Sequence, residues 1–163
     1  MSESVSRVYD CPGEVETIFA ALSGEAWAQR RAEVLRDDST TLRREVAADG
    51  GVTLAVSRAL PDGAPGFLQR FLPSDGRVVQ TDTWGPERAG VRRGTWRAEL
   101  PGAPAEIGGT MRLEPAAGGT RYSIEGAVKV RVPLIGGKAE RFVAELIGKL
   151  TDKEHDVLMG MLT

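Results

Sequence analysis

The sequence predicts an α+β fold in which one strand and two short helices precede six further strands and a long C-terminal helix. Three observations support this prediction. The spacing of apolar residues changes from about 3.6 to 2 in the middle of the chain, turn-forming residues recur there about every ten positions, and helical spacing returns near the C-terminus. With 163 residues, the chain has the length of one domain with a sizeable core.

The N-terminal elements are predicted to be one strand and two amphipathic helices. Alternating apolar and polar residues indicate a first strand that ends near Asp10, where a Cys-Pro-Gly sequence interrupts it. Apolar residues at steps of three and four then predict a helix that ends before Gly24. A second helix is expected over residues 25–35, up to an Asp-Asp-Ser cluster.

The middle of the chain is predicted to form six strands joined by short turns. The expected ranges are 40–47, 52–60, 77–84, 93–100, 106–114 and 120–132. Strands joined this tightly pair antiparallel, so we expect one seven-stranded antiparallel sheet. The last strand alternates apolar and charged residues, which predicts one face against a core and one face in water.

The C-terminal segment is predicted to be a single long helix. Apolar residues recur at steps of three and four from Gly136 and Gly137 to the end of the chain. A helix of about 25 residues would be roughly 38 Å long. It is therefore expected to lie across the entire sheet.

Composition narrows the classes of function. Lys and Arg number 21 against 23 for Asp and Glu, a net charge of −2, which provides no general attraction to nucleic acid or anionic lipid. Cys11 and His155 are the only cysteine and histidine, too few for a disulfide framework, a zinc site or a Cys-His nucleophile pair. Because phosphate-binding and nucleophile-elbow motifs are also absent, we predict no catalytic residue, no metal site and no cofactor.

The location of the protein is expected to be the cytoplasm. The N-terminus lacks a basic segment followed by an apolar one, and no run approaches the roughly 18 apolar residues of a membrane span, so no integral membrane contact is expected.

His155 lies between Glu154 and Asp156 in a segment expected to face water, and Cys11 is expected to be a passive thiol. The sequence does not indicate an oligomeric state.

The order of elements resembles the helix-grip fold of the START-like superfamily, also called SRPBCC. The strand-to-helix junction at residues 126–140, GAVKVRVPLIGGKAE, is similar to that of an actinobacterial branch of this superfamily. The resemblance covers nearly the whole chain and implies a single START-like domain over residues 1–163. It also implies a strongly curved sheet around the terminal helix, with a cavity between them. Because this fold supports many activities, it does not select one.

The resemblance further implies that the cavity is entered through loops at about 61–76, 101–105 and 133–138. The first loop contains Phe67 and Phe71 in an unusually apolar sequence. This sequence forms either a lid over the cavity or a plug at the edge of the sheet.

Two predicted strands present polar residues toward this cavity. Arg58 shares a face with apolar residues, where it either anchors a ligand carboxylate or phosphate, reaches solvent at the strand end, or pairs with Asp82 or Glu45. If Trp84 points inward, Gln80 and Asp82 share its face; if it points outward, residues 79, 81 and 83 line the cavity instead. The predicted ligand-binding residues are Arg58, Phe67, Phe71, Asp82, Trp84, Trp96, Met111, Tyr122, Phe142 and Leu146.

The function predicted from these features is the binding or transport of a small hydrophobic ligand, lipid-like or polyketide-like, without catalysis. One alternative is a cyclase- or hydratase-type enzyme in which Arg58, Asp82 and Tyr122 position a substrate. Another is a protein-interaction module that uses apolar surface around residues 64–72. The expected partner is a small hydrophobic molecule and not nucleic acid.

Overall fold

Seven strands and four helices make up the part of the chain that the computed structural model describes, residues 2–36, 38–60 and 63–162. In chain order they are β1 (Glu3–Cys11), α1 (Val15–Leu22), α2 (Glu25–Leu35), β2 (Ser39–Val46), β3 (Val52–Ala59), α3 (Gly66–Gln69), β4 (Arg77–Trp84), β5 (Arg92–Glu99), β6 (Ala105–Ala116), β7 (Gly119–Val130) and α4 (Gly136–Leu162). Every predicted strand is present, and α4 has 27 residues.

The strands form one open antiparallel sheet in the order β1-β7-β6-β5-β4-β3-β2. From β2 to β7 each strand pairs with its neighbour in sequence, whereas β1 crosses over to pair with β7. The long helix α4 packs against β1 and β7 and also contacts α1 and α2. This architecture confirms the predicted α+β helix-grip fold.

The inner face of the sheet carries the core. In β7, Tyr122, Ile124 and Val128 are buried while Arg121 and Lys129 are exposed, which confirms the predicted two-faced strand. The edge strand β2 is mostly exposed and has a register shift between Thr41 and Arg43. No helix within the described ranges is both long and apolar enough to cross a bilayer.

Trp96 lies across the inner face of β5, β6 and β7 because Gly126 leaves room for its ring. Trp96 is opposite Gly109 on β6, which is opposite Gly126 on β7, so the three residues share one face. A Cβ atom on Gly126 would lie 2.4 Å from Trp96 Cζ2. The indole Nε1 donates a hydrogen bond of 3.0 Å to the carbonyl oxygen of Glu125. Gly126 therefore leaves space for one of the aromatic rings beside the interior cavity described next.

Candidate functional site

A cavity of about 590 Å³ lies between the inner face of the sheet, α2, the β3–β4 connection and α4. This volume is within the range of about 300–1,000 Å³ that is typical of small-molecule sites. Most of the lining is apolar, and Trp27, Trp84 and Trp96 all contribute to it. A more open groove of about 780 Å³ runs beside β5 and β6, but exposed charged residues such as Arg97 and Glu106 form much of its wall. The interior cavity is therefore the candidate site.

Nine of the ten predicted binding residues lie in the lining of this cavity, and Phe67 does not. The nine are Arg58, Phe71, Asp82, Trp84, Trp96, Met111, Tyr122, Phe142 and Leu146. The Phe67 ring is half-buried and packs against the Lys138 ammonium group, with Nζ 4.6 Å from the ring centroid. The helix α3 turns Leu68 toward the cavity, and Phe71 follows in the lining, whereas Phe67 lies outside it. The binding role of all ten residues remains a prediction.

Two of the three predicted entrance loops contribute to the cavity wall. The β3–β4 connection provides Leu68 and Phe71, and the β5–β6 connection provides Ala103 and Pro104. Residues 61 and 62 of the first loop lie outside the described residues. Within the described part of the chain, the loop at 133–138 provides no lining residue.

The apolar surface expected around residues 64–72 for a protein-interaction module is largely turned inward. Leu68 is buried, and Phe67, Phe71 and Leu72 are half-buried. Leu68, Phe71 and Leu72 line the cavity. This part of the β3–β4 connection is therefore a wall of the cavity and not an exposed apolar patch.

Trp84 points inward, and this orientation decides which of the two faces of β4 lines the cavity. Its side chain is buried and makes an edge-to-face contact with Phe19, with ring centroids 6.0 Å apart and planes at 82°. Because alternate residues of a strand share a face, Gln80 and Asp82 line the cavity with Trp84.

Five polar residues meet in one wall of the cavity, and we call them the polar cluster: Arg31, Arg58, Gln80, Asp82 and Glu154. They come from α2, β3, β4 and α4. Arg58 Nη1 donates hydrogen bonds of 2.8 Å to Gln80 Oε1 and of 2.8 Å to Glu154 Oε1. Gln80 Nε2 donates in turn to Asp82 Oδ1 and Oδ2, at 3.3 and 3.4 Å. The cluster joins the terminal helix to the sheet across the otherwise apolar cavity.

The partners of Arg58 differ from those predicted. Among the described residues, Arg58 forms an ion pair with Glu154 on α4, at 2.8 Å, and its hydrogen bonds reach Asp82 through Gln80. Glu45, the other predicted partner, lies on the exposed edge strand beside Arg43. The pairing of β3 with β4 keeps Arg58 away from Asp82, because Arg58 on β3 is opposite residue 78 and Asp82 on β4 is opposite residue 54.

Arg31 and Glu154 are site residues that the sequence analysis missed. The Arg31 side chain is only 2% exposed, with its guanidinium 5.3 Å from the centre of the Trp27 ring, one helical turn earlier. Glu154 lies midway between Leu150 and Leu158, four residues from each, so it belongs to the apolar stripe of α4. Both positions carry a sequence signal, a charged residue at helical spacing from buried apolar ones.

Burial changes the ionisation of two acids in the cavity wall. Desolvation raises the pKa of Asp82 above its ordinary value; the charges of Arg31 and Arg58 and the Gln80 hydrogen bond oppose this rise, whereas Glu154 adds to it. Desolvation, followed by the charge of Asp82, raises the pKa of Tyr122 well above 10. The Tyr122 hydroxyl lies 3.9 Å from Met111 Sδ. The cavity therefore favours the neutral forms of both groups.

The segment around His155 does not simply face water as predicted. The His155 ring stacks on Tyr9, with centroids 4.1 Å apart and planes at 10°, and burial lowers its pKa. The Tyr9 hydroxyl donates a hydrogen bond of 2.5 Å to Asp152 Oδ1. Neither ring belongs to the cavity lining.

Cys11 is buried, and desolvation raises its pKa to about 11, which disfavours the reactive thiolate.

An open antiparallel sheet, a long terminal helix and a cavity between them define the helix-grip fold class. The crystal structure of TTHA0849 from Thermus thermophilus matches with a TM-score of 0.61 and 15% identity, over 97% of this chain and 95% of that one. A START superfamily protein from Mycobacterium smegmatis matches with a TM-score of 0.56 and 14% identity, over 98% of this chain and 99% of that one. At such identities the likeness shows the fold alone.

Within this class, the chain belongs to the family described as Protein of unknown function (DUF2505), whose profile matches residues 4–162. Uncharacterized protein Rv0481c of Mycobacterium tuberculosis is 30% identical over 165 residues, covering 95% of this chain and 94% of its own length. Uncharacterized protein Mb0491c of Mycobacterium bovis matches to the same extent. These mycobacterial relatives agree with the actinobacterial branch expected from the junction at residues 126–140.

Proposed function

We propose that this protein binds and carries a small hydrophobic ligand, lipid-like or polyketide-like, in the cavity between the sheet and α4. The observation that carries the proposal is the cavity itself, about 590 Å³ of space with a mainly apolar lining. Protein interiors are normally packed as densely as organic crystals, so a space of this size is not an ordinary feature of a core. Transfer of apolar ligand surface from water into it would drive binding.

The chemistry of the lining suits a hydrophobic body of variable shape. Aromatic rings provide large apolar surfaces, and the flexible thioether of Met111 adapts to irregular neighbours. Phe142 and Leu146 extend this surface along α4. These contacts favour a ligand class defined by apolar shape.

Native mass spectrometry of the purified protein, followed by organic extraction, tests the proposal. We expect a stoichiometric small-molecule adduct, or binding of the neutral dye Nile red after delipidation. Leu146→Trp fills part of the cavity from α4 and is expected to weaken binding at least about tenfold. Lys149→Trp adds the same ring at an exposed position of the same helix and is expected to leave binding unchanged.

The proposal fails if wild-type protein shows neither an adduct nor Nile red binding. It also fails if a folded Leu146→Trp protein binds as tightly as wild type. Circular dichroism of both variants separates a blocked cavity from a damaged fold.

An enzyme of cyclase or hydratase type is a second candidate, and the raised pKa of Asp82 favours it. A carboxyl group that stays protonated in an apolar cavity can act as a general acid. Arg58 and Tyr122 line the same cavity and could orient a substrate. Incubation of the extracted ligand with the protein distinguishes the two candidates, because a carrier returns it unchanged whereas an enzyme yields a product that Asp82→Asn no longer forms.

A further inference from the structure

Arg31 is a buried cation with an unused hydrogen-bond donor in the wall of the cavity. Its side chain is 2% exposed, and its Nε–H has no acceptor among the described residues. Nη1 lies 3.9 Å from Glu154 Oε1, beyond hydrogen-bond distance. A buried donor without an acceptor is costly, and buried polar groups in folded proteins are nearly always paired.

From this geometry we infer that the ligand is an amphipathic molecule whose carboxylate head group binds Arg31, with its hydrocarbon part along the apolar lining. The inference rests on the proposed carrier function and specifies its ligand class. A guanidinium group presents N–H donors in a planar fork that matches the two oxygens of a carboxylate. The guanidinium of Arg31, whose Nε–H lacks an acceptor among the described residues, is the group that such a head group would bind.

Of the two arginines near Glu154, Arg31 makes the weaker contact. The guanidinium groups of Arg31 and Arg58 both lie near Glu154, but the closer contact, 2.8 Å against 3.9 Å, belongs to Arg58. Asp82 is the other acid of the cluster, and burial favours its protonated form. Among the described residues, no carboxylate therefore lies within hydrogen-bond distance of the Arg31 guanidinium, and a ligand carboxylate would provide one.

The arrangement of the lining supports an amphipathic ligand with one polar end. The polar cluster occupies the wall formed by α2, β3, β4 and the C-terminal part of α4. Most of the remaining wall is apolar, and this apolar part includes Ile107, Met111, Phe142 and Leu146. A head group at Arg31 would leave the rest of the molecule in contact with this apolar surface.

Two probes with the same hydrocarbon chain, dodecanoic acid and dodecanol, test the inference on delipidated protein. The three cavity tryptophans make intrinsic fluorescence a reporter of occupancy, and calorimetry gives the affinities. We expect wild type to prefer the acid by about 10- to 100-fold, the range of a hydrogen bond to a charged group. Arg31→Gln is expected to reduce this preference to less than about threefold while leaving affinity for the alcohol unchanged. Arg31→Lys should keep part of the preference, because an ammonium retains the charge but not the fork.

Arg30→Gln is the matched control, since Arg30 is the adjacent residue of α2 but its side chain is 59% exposed and pairs with Glu33. It should retain the full preference for the acid. If Arg31→Gln does not fold, Arg31→Met, which keeps an apolar side chain there, replaces it.

Equal affinity of wild type for acid and alcohol would overturn the carboxylate assignment while leaving the carrier function standing. An equal loss of affinity for both probes in Arg31→Gln would mean that Arg31 maintains the shape of the cavity. This result would also overturn the carboxylate assignment. Failure of wild type to bind either probe or Nile red would instead refute the carrier function itself.

Discussion

Glu154 connects the terminal helix to α2 and β3, so its replacement tests how much the polar cluster contributes to stability. Its carboxylate accepts a hydrogen bond of 2.8 Å from Arg58 and lies 3.9 Å from Arg31. Glu154→Gln keeps the shape of the side chain and removes its charge. Two guanidinium groups then lose a carboxylate they share.

The expected loss of unfolding free energy is about 2–3 kcal/mol. Removal of one partner from a buried ion pair costs about 3–5 kcal/mol. The loss should be smaller here because Gln still accepts a hydrogen bond, Arg58 keeps its bond to Gln80, and the Glu154 side chain is 16% exposed. For a chain of this length, the melting temperature should fall by about 4–12 °C.

Urea unfolding of ligand-free protein, followed by tryptophan fluorescence, measures this loss. Asp156→Asn is the control, because Asp156 is exposed two residues later on α4 and its change should stay within about 0.5 kcal/mol. A double-mutant cycle of Arg58→Gln with Glu154→Gln should give a coupling of about 1–3 kcal/mol. Equal midpoints for Glu154→Gln and Asp156→Asn, or a coupling near zero, would refute the view that this ion pair holds α4 to the sheet.

Two further predictions concern Asp82 and a glycine of β7. Since burial raises the pKa of Asp82, the native state keeps a proton that the unfolded chain releases, and stability falls as pH rises above about 4. Asp82→Asn should therefore gain stability relative to wild type as pH increases to about 8, measured by urea midpoints; a gap independent of pH would contradict this. Gly126→Ala should cost more than about 3 kcal/mol, because its Cβ would lie 2.4 Å from Trp96 Cζ2 and 2.5 Å from the Gly108 oxygen. Gly66→Ala, which meets open space, should be neutral, and similar unfolding midpoints for both alanine variants would contradict this account.

The strands and helices could be predicted from sequence because their signals are local. The bounds of α2 and β4 match the predicted ranges 25–35 and 77–84. Both are periodic segments ended by clear breakers, an Asp-Asp-Ser cluster and a Gly-Pro pair. The position of α4 follows similarly from the glycines at its start. These features depend on residues a few positions apart, which is the information that a single sequence contains.

The polar cluster could be predicted only in part because its members come from four separate elements. Arg58 and Asp82 were found, since each lies on a strand face with apolar neighbours. Arg31 and Glu154 were missed, because a charged residue on an amphipathic helix usually faces solvent. Only the crossing of α4 over α2 and the sheet brings the cations and carboxylates together.

The empty cavity and the unpaired Arg31 Nε–H are both unfavourable to the ligand-free fold, and they occur at the same place. An empty space loses packing contacts, and the Arg31 Nε–H is buried without an acceptor among the described residues. A core selected for stability alone would place larger apolar side chains there. Replacement of a buried ion pair by well-packed apolar residues is often neutral or stabilising. A bound amphipathic carboxylate would offset both costs at once, by filling the space and pairing the guanidinium. Ligand at 100 times its dissociation constant adds about 2.7 kcal/mol to stability, so occupancy would be a substantial part of the stability of the fold.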